Sequence, residues 1–519
     1  MLSNIKVNIT TIMDWFIHFP IEIFIGFLIT YLILQKLFGK NDFPTLVPGE
    51  EDSVFTYFKT TYIRDVVVFW SLLISIVVLT SPLSTVSKSY SYLSVGPTTT
   101  FIKSIGLILA IILIIVFSEN MKRNQLFKED FFIIYLLSFI GLCLFISSQD
   151  LFVSFLAIEI QGLSFYILAT SQRTNVRSTE AGLKYFILGS LSSAIFLFGV
   201  VLLYGSVGTT SLPAIAILMS NSKGITVSSI IGILFIIVSL LFKVGAAPFH
   251  VWLPDVYEGS PLLITAYFSI IPKFFLYYFI YKFIFVYCPW STLFIMPLIY
   301  LSILSSFFVG STGAIKQHRI KRVLGYSTIA HNGFLLMPIL AYNSHTIIYV
   351  IYYLIAYSVS LVLLFGIFGN ILNVKTQKYV QYISEVRSLY FHHKDFAIGI
   401  LIGFMSLSGI PPLVGFFAKY NIMLDCVESG IYIPVIFAIV SSVVSAFYYL
   451  RLIVNVFFMK GERFIAGRWY NKYTRFFASD LYTRVGLLIG FSILCLLTSF
   501  INFDIEPIAY TLIFDFLKI

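Results

Sequence analysis

Apolar runs of about twenty residues, each closed by a short polar stretch, recur along the whole chain. A helix of about twenty residues rises about 30 Å, the thickness of a bilayer's hydrocarbon core. The runs lack the alternation of a membrane β-barrel. The pattern predicts fourteen spans, at 15–38, 62–81, 99–117, 130–147, 151–170, 179–204, 227–253, 261–286, 292–313, 320–342, 346–372, 396–426, 431–458 and 481–503. The polar stretches between them, the longest being 39–61, 373–395 and 459–480, are too short to fold alone. The expected fold class is an all-α polytopic membrane protein forming one body in the bilayer.

Two spans carry helix breakers. In FKVGAAPFHVWLPDVYEGSP, residues 242–261, Pro248 cannot donate to the carbonyl of Val244. In SLSGIPPLVGFFAKY, residues 406–420, Pro411 and Pro412 free the carbonyls of Leu407 and Ser408. Both helices are therefore expected to be discontinuous near mid-membrane, with ordinary proline kinks as the alternative. Paired broken helices in two halves of a chain point to an inverted-repeat transport architecture, because freed carbonyls are tolerated only under protein or water.

Composition sharpens this picture. With 59% hydrophobic and 11% charged residues in 519, water is excluded as the main solvent. A net charge of +10 points to nucleic acid in a soluble protein; here it tracks topology. Lys40, Lys122, Arg123, Arg173, Arg177, Lys316, Arg319, Lys375, Arg387, Lys460 and Arg468 all lie in or beside odd-numbered loops, whereas even-numbered loops hold little beyond Lys88 and Lys223. A missed span would reverse this parity, so an even count with both termini on the outer face is expected. Cys143, Cys288, Cys426 and Cys495 are scattered and build neither an iron–sulfur cluster nor a zinc site alone. Only His331 lies deep enough for haem ligation, and there is no dinucleotide fingerprint or P-loop. No cleavable leader is read at the N-terminus. No redox or nucleotide centre is expected in this chain.

Charges inside the bilayer cost at least about 2.5 kcal/mol each, which makes them functional candidates. Glu159 sits in the middle of its span, within AIEIQGLSFYILAT, Lys273 about twelve residues into its span, Lys243 beside the first break and Lys419 about two turns beyond the second. For His331, in YSTIAHNGF, a proton site and a satisfied core residue both stay open. Lys184 lies near a span end and either relays protons, reaches the interface or pairs with Glu180. Lys36, Lys103, Lys282 and Arg451 read as interface anchors; Glu22 and Asp425 stay unassigned. The deep cations are lysines, which lose a proton where arginine does not. Burial and a neighbouring carboxylate both act on a lysine's charge state. A chain of such groups, bridged by water at the breaks, makes a proton path.

These segments, together with KYFILGSLSSA (184–194) and IKRVLGYSTIAHNGFLL (320–336), resemble the antiporter-like membrane subunits of respiratory NADH:ubiquinone oxidoreductase, complex I. EIQGLSFY, PDVYEGSP and Lys419 resemble its subunit 2 branch in particular. The likeness covers about residues 150–420, with family-like helices continuing to 458. It implies two inverted five-helix repeats, 130–286 and 287–458, flanked by segments 1–129 and 459–519. It also implies proton translocation coupled to NADH-to-ubiquinone electron transfer, with Glu159 modulating Lys243, Lys243 and Lys273 as central relays, and Lys419 as the exit-side or second-half-channel group. Lys184 and His331 match relay positions too. NADH, FMN, iron–sulfur clusters and ubiquinone would sit on other subunits, so this chain would hold no cofactor. Its partners would be other membrane-arm and accessory subunits and the lipid bilayer, not nucleic acid. The abundance of Phe and Tyr fits an AT-rich organelle genome, hence the mitochondrial inner membrane with termini facing the intermembrane space. A multi-subunit cation/proton antiporter is the rival from another class, and a purely structural membrane subunit a second.

Overall fold

The computed structural model of the chain describes residues 92–459 apart from 125, 127–128, 221–225, 342–345, 374–378 and 412, plus a few positions within 22–30, 88–89 and 464–466. The helices are α1 (Pro97–Val116), α2 (Ser118–Arg123), α3 (Glu129–Ser147), α4 (Leu151–Ala169), α5 (Val176–Val207), α6 (Leu212–Ser220), α7 (Val227–Val244), α8 (Trp252–Gly259), α9 (Leu262–Lys282) and α10 (Thr292–Ile315). They continue with α11 (Ile320–Ala341), α12 (Thr346–Asn370), α13 (Lys394–Ser408), α14 (Val414–Glu428) and α15 (Tyr432–Phe457). The strands among the described residues form two short antiparallel pairs, β1 (Lys88–Ser89) with β2 (Ser94–Val95) and β3 (Ile371–Asn373) with β4 (Phe464–Ala466), beside three isolated bridges.

Among the described residues ten helices are long and apolar enough to cross a bilayer, and the α13–α14 pair falls on an eleventh expected span. Each coincides with one of the expected spans from 99–117 through 431–458. The expected spans 62–81 and 481–503, and all but a few positions of 15–38, lie outside the described residues.

Local chemistry explains several boundaries. Asp150 caps α4 by accepting the N–H of Phe152 at 2.8 Å, and its other oxygen accepts from Thr210 at 2.7 Å, tying the start of α4 to the loop after α5. Thr226 and Ser229 form a reciprocal capping box at the start of α7. The sequence of α9 has apolar residues on every side, interrupted by Lys273 at its middle and Lys282 at its end, and every residue of it is buried. It lies against α1 and α3 on one side and α7 and α12 on another, so it is the inner post of the bundle. Outer faces are apolar instead: Leu183, Ile187 and Val201 on α5 and Ile436, Val440 and Val443 on α15 are exposed, a surface suited to lipid.

The elements α3, α4, α5, α7–α8 and α9 are followed by α10, α11, α12, α13–α14 and α15. In each series of five the fourth is the interrupted helix. The second piece of the first interrupted helix, α8, packs on α11 of the following series.

Candidate functional site

Both interruptions are made by the same backbone device. α7 ends at Gly245 and α13 at Gly409, with φ of +78° and +81°, a region where any side chain is strained. The Gly245 N–H donates back to Leu241 and Phe242, and that of Gly409 to Met405 and Ser406. The next N–H, of Ala246 or Ile410, donates to the carbonyl of Leu241 or Met405, completing a Schellman ending. The prolines come later, so glycine stops each helix and proline keeps it from continuing.

The leftover carbonyls are covered in two different ways. Asn332, on α11, donates from Nδ2 to the carbonyls of Val244 and Gly245 at 3.0 and 3.2 Å. Ser306 Oγ, on α10, accepts the N–H of Ala247 at 3.0 Å. At the second break Lys419 itself donates from Nζ to Leu407 and Ser408 at 2.7 and 2.9 Å. Those are the two carbonyls that the proline pair was expected to free.

Between the breaks lies a buried polar cluster. Lys273, 2% exposed at the middle of α9, donates to the Tyr357 hydroxyl at 2.9 Å and stands 4.3 Å from the centre of the same ring. The Tyr357 ring is 5.1 Å from that of His331. His331 is hydrogen-bonded through Nδ1 to Tyr353 at 2.6 Å and through Nε2 to Tyr449 at 3.3 Å. A cavity of about 10 Å³ is lined by His331, Tyr353, Tyr357, Ser406 and Lys419, room for one water-sized sphere. The Ser406 hydroxyl is buried there without a hydrogen-bond partner among the described residues. Such an orphan beside a water-sized cavity suits a bridging water.

Lys243 occupies the last turn of α7, where the helix dipole favours positive charge. Its Nζ lies against α4, 3.7 Å from where a Cβ on Gly162 would stand. Glu159, one turn earlier on α4, acts on Lys243 through space, and no direct ion pair joins them among the described residues.

Residues 148–445 match the family described as NADH:quinone oxidoreductase/Mrp antiporter, TM. That is more than half of the chain. The chain belongs to this family. Among its relatives, subunit N of the NADH-quinone oxidoreductase of Rhodospirillum rubrum is 37% identical over 360 residues, covering 69% of this chain and 73% of that one. Chain 2 of the NADH-ubiquinone oxidoreductase of Marchantia polymorpha is 36% identical over 401 residues, covering 75% and 80%. A chain of respiratory complex I from Thermus thermophilus superposes with a TM-score of 0.70 at 24% identity, covering 91% of this chain and 97% of that one, which establishes the shared fold.

In this member of the antiporter-like family the remaining candidates fall outside the central cluster. Lys184 pairs with Glu180 at 2.8 Å and with Asp255 of α8 at 3.1 Å, with 43% of its side chain exposed. Asp255 and Glu258 each bind Arg322 at 3.2 Å, Glu258 also binds Arg319, and Lys321 donates to the carbonyls of Glu258 and Ser260. With 32 residues, α5 is about 48 Å long, some 18 Å more than a hydrocarbon core. Lys184, two turns in, makes the pairing with Glu180 that was one of its open readings, and a second one with Asp255.

Two residues expected as interface anchors do not reach solvent. Lys103 and Lys282 are each 2% exposed; Lys103 is ion-paired with Glu22, and Lys282 donates to Ser94 Oγ at 3.3 Å. Arg451 ties down the end of α10, donating to the Ile315 carbonyl at 2.9 Å and meeting His318 Nδ1 at 3.1 Å. Lys36 lies outside the described residues. Sorting charges by depth also passed over Tyr353, Tyr357, Tyr449, Asn332 and Ser406, because uncharged polar groups carry no depth signal in a chain so rich in tyrosine. The spacing of Tyr353 and Tyr357, four apart on one face of α12 beside a deep histidine and lysine, was the available clue.

Proposed function

We propose that this chain is a proton-translocating membrane-arm subunit of complex I, and that protons move along Lys273, Tyr357, His331, the Ser406 cavity and Lys419. The observation that carries this is the close approach of those buried groups between the two helix breaks, with a small, water-sized cavity at their centre. Every member can both give and receive a proton once Lys273 or Lys419 is in its neutral form. A tyrosine hydroxyl passes a proton by accepting one and releasing another. His331, with a hydroxyl on each ring nitrogen, takes a proton at one and releases it at the other, whichever tautomer is present. Glu159 and Lys243 form the first-half loading site, where moving the carboxylate's charge switches the lysine. Lys184 and its ion-pair network connect that site to the face with basic loops.

In this reading the chain binds neither NADH nor flavin nor iron–sulfur clusters; other subunits carry them, and quinone chemistry there drives this path. The basic loops face the matrix of a mitochondrial inner membrane and both termini face the intermembrane space. The segments 130–286 and 287–458 are the two inverted repeats, with 1–129 and 459–519 as flanking parts.

The test is proton pumping by the intact complex in sealed vesicles. Lys273→Met should lower the protons moved per NADH oxidised by about tenfold or more, in line with the loss of a positioned proton-transfer group. Undiminished pumping in a fully assembled variant would remove the central path. The family match extends to antiporters, so a cation/proton antiporter subunit is the second reading. Co-purification of the chain with flavin and iron–sulfur subunits decides against it.

A further inference from the structure

One stripe of α4 carries Glu159, Gly162 and Tyr166, three and four residues apart and therefore on the same face. Side chains on a helix lean toward its N-terminus, and Tyr166 reaches back until its hydroxyl lies 3.2 Å from where a Cβ on Gly162 would stand. The Lys243 Nζ, coming from α7, lies 3.7 Å from the same point. The amine is thus poised at Gly162, with a carboxylate one turn to one side and a phenol on the other. Among the described residues no hydrogen bond joins it to either, although the Glu159 charge acts on Tyr166 and Lys243 alike.

The phenol is held in place from several sides. Room for its hydroxyl comes from a second glycine, because a Cβ on Gly189 of α5 would collide with it. The ring meets Tyr185 and Phe186 edge-on, with centroids 4.9 and 5.6 Å away. Tyr185 in turn stacks on Trp252 at 4.8 Å, and the Trp252 indole donates at 3.0 Å to the carbonyl of Phe242, the residue before Lys243. The hydroxyl is therefore fixed relative to the turn that carries the lysine, while the lysine's own four-carbon stem is free to swing. Tyr166 is buried, yet its hydroxyl has no hydrogen-bond partner among the described residues. The buried hydroxyls of Tyr135, Tyr277 and Tyr281 donate to backbone carbonyls instead. An unpaired buried hydroxyl is costly, and the Lys243 amine is close enough to satisfy this one after a change of rotamer.

We propose that Tyr166 is a positioning residue for Lys243: Glu159 receives the lysine when it is charged, and the Tyr166 hydroxyl receives it when it is neutral. The chemistry of the two partners divides in this way. An ammonium has three donors and no acceptor, so it goes to the carboxylate. A neutral amine has a lone pair, to which a phenol O–H donates and an ionised carboxylate does not. Each change of protonation then turns the amine from one side of Gly162 to the other. Glycine at that position leaves the way open, because a side chain there would stand between the amine and the phenol. The hydroxyl keeps its own proton throughout; it donates a hydrogen bond and transfers nothing. The charge state of Lys243 becomes a position, so the site gains its proton in one orientation and gives it up in the other.

This rests on the reading of Glu159 and Lys243 as a loading site, and the experiment separates the two. Four variants of the intact complex, Tyr166→Phe, Glu159→Gln, the two combined, and Lys243→Met, are compared for assembly on native gels and for protons moved per NADH oxidised in sealed vesicles. Phenylalanine keeps the ring against Tyr185 and Phe186 and loses only the hydroxyl. Losing one hydrogen bond from the working cycle predicts assembled Tyr166→Phe complex with pumping lowered about threefold to tenfold. The combined variant reads the positioning role. Once either partner is gone the amine no longer turns, so the combined variant should pump about as well as Glu159→Gln alone, whereas independent structural roles would multiply the two losses. Normal pumping in Tyr166→Phe, or multiplied losses in the combined variant, overturns the proposal. Should Tyr166→Phe fail to assemble, Gly162→Ala decides in its place, since alanine suits a helix and sets a methyl in the path of the amine; normal pumping there overturns the proposal equally. If Lys243→Met is impaired while Tyr166→Phe is normal, the loading site stands and the role of Tyr166 falls. If Lys243→Met pumps normally, the loading site itself falls and Tyr166 with it.

Discussion

The two broken helices share a glycine ending but differ in what covers the exposed carbonyls. In α7–α8 a neutral amide from another helix, Asn332, does so, and Lys243 is left to respond to Glu159. In α13–α14 the titratable amine is the covering group. The first arrangement separates scaffold from charge; the second joins them, so that a change in protonation of Lys419 is felt directly by the backbone at the break. A neutral amine keeps two N–H groups and can still serve both carbonyls. The second break therefore remains covered through a proton-transfer cycle, whereas loss of the side chain removes its cover.

The largest expected effect follows from that coupling. Lys419→Ala should leave two buried carbonyls unpaired, at about 1–3 kcal/mol each. Lys243→Ala removes no hydrogen bond seen among the described residues and should cost little stability. Survival of the complex after graded heating in detergent measures both. Equal losses would break the comparison. Lys419→Gln sharpens it, because an amide donates without titrating: stability should partly return while pumping does not.

Next is Asn332→Ala. It orphans the Val244 and Gly245 carbonyls but also removes the Asn332 Oδ1, itself buried without a partner. Two orphans are made and one is lost, for a net cost of about 1–3 kcal/mol, below that of Lys419→Ala. The same heating assay ranks the two variants, and the opposite order would mean that the first break is the more dependent one.

How far the sequence revealed this arrangement differs between scaffold and site. Helices were legible because a bilayer imposes length and apolarity on every span, and the breaks because Pro248 and Pro411–Pro412 interrupt otherwise apolar runs. The deep positions of Lys273, His331 and Lys419 followed from counting residues along their spans. What one-dimensional depth does not contain is direction around the helix and the packing of other helices. Lys282 and Lys103 looked like anchors because they lie near span ends; the hairpin and the Glu22 segment bury them. Asn332 was invisible as a cap because its carbonyl partners lie 87 and 88 residues away.

Midway between the breaks, Tyr357→Phe retains the ring beside Lys273 and removes only the oxygen that accepts its proton. Loss of a hydrogen bond to a charged group, about 1.5 kcal/mol at the low end, corresponds to roughly a tenfold slowing if that contact forms part of the rate-limiting transfer. Pumping measured against NADH oxidation reads it. An unchanged rate would mean that protons reach the Lys419 side without this hydroxyl, leaving the two breaks uncoupled through Tyr357.

The smallest effect on stability belongs to Lys184→Met. Its side chain is 43% exposed and its partners Glu180 and Asp255 are partly exposed as well, so solvent screens the pairs. Surface pairs of this kind are worth about 0–1 kcal/mol, and Asp255 retains Arg322 after the change. Heating curves should barely move. Pumping then becomes a clean readout, because a loss cannot be attributed to unfolding. A marked fall in pumping with unchanged stability places Lys184 on the route from the basic-loop face to Lys243; unchanged pumping makes it one strand of a latch that holds α5 to α8. In the second case the first break is supplied with protons through Glu159 alone, and the difference between the halves widens: one fed from its partly exposed flank, the other from the buried tyrosines at its centre.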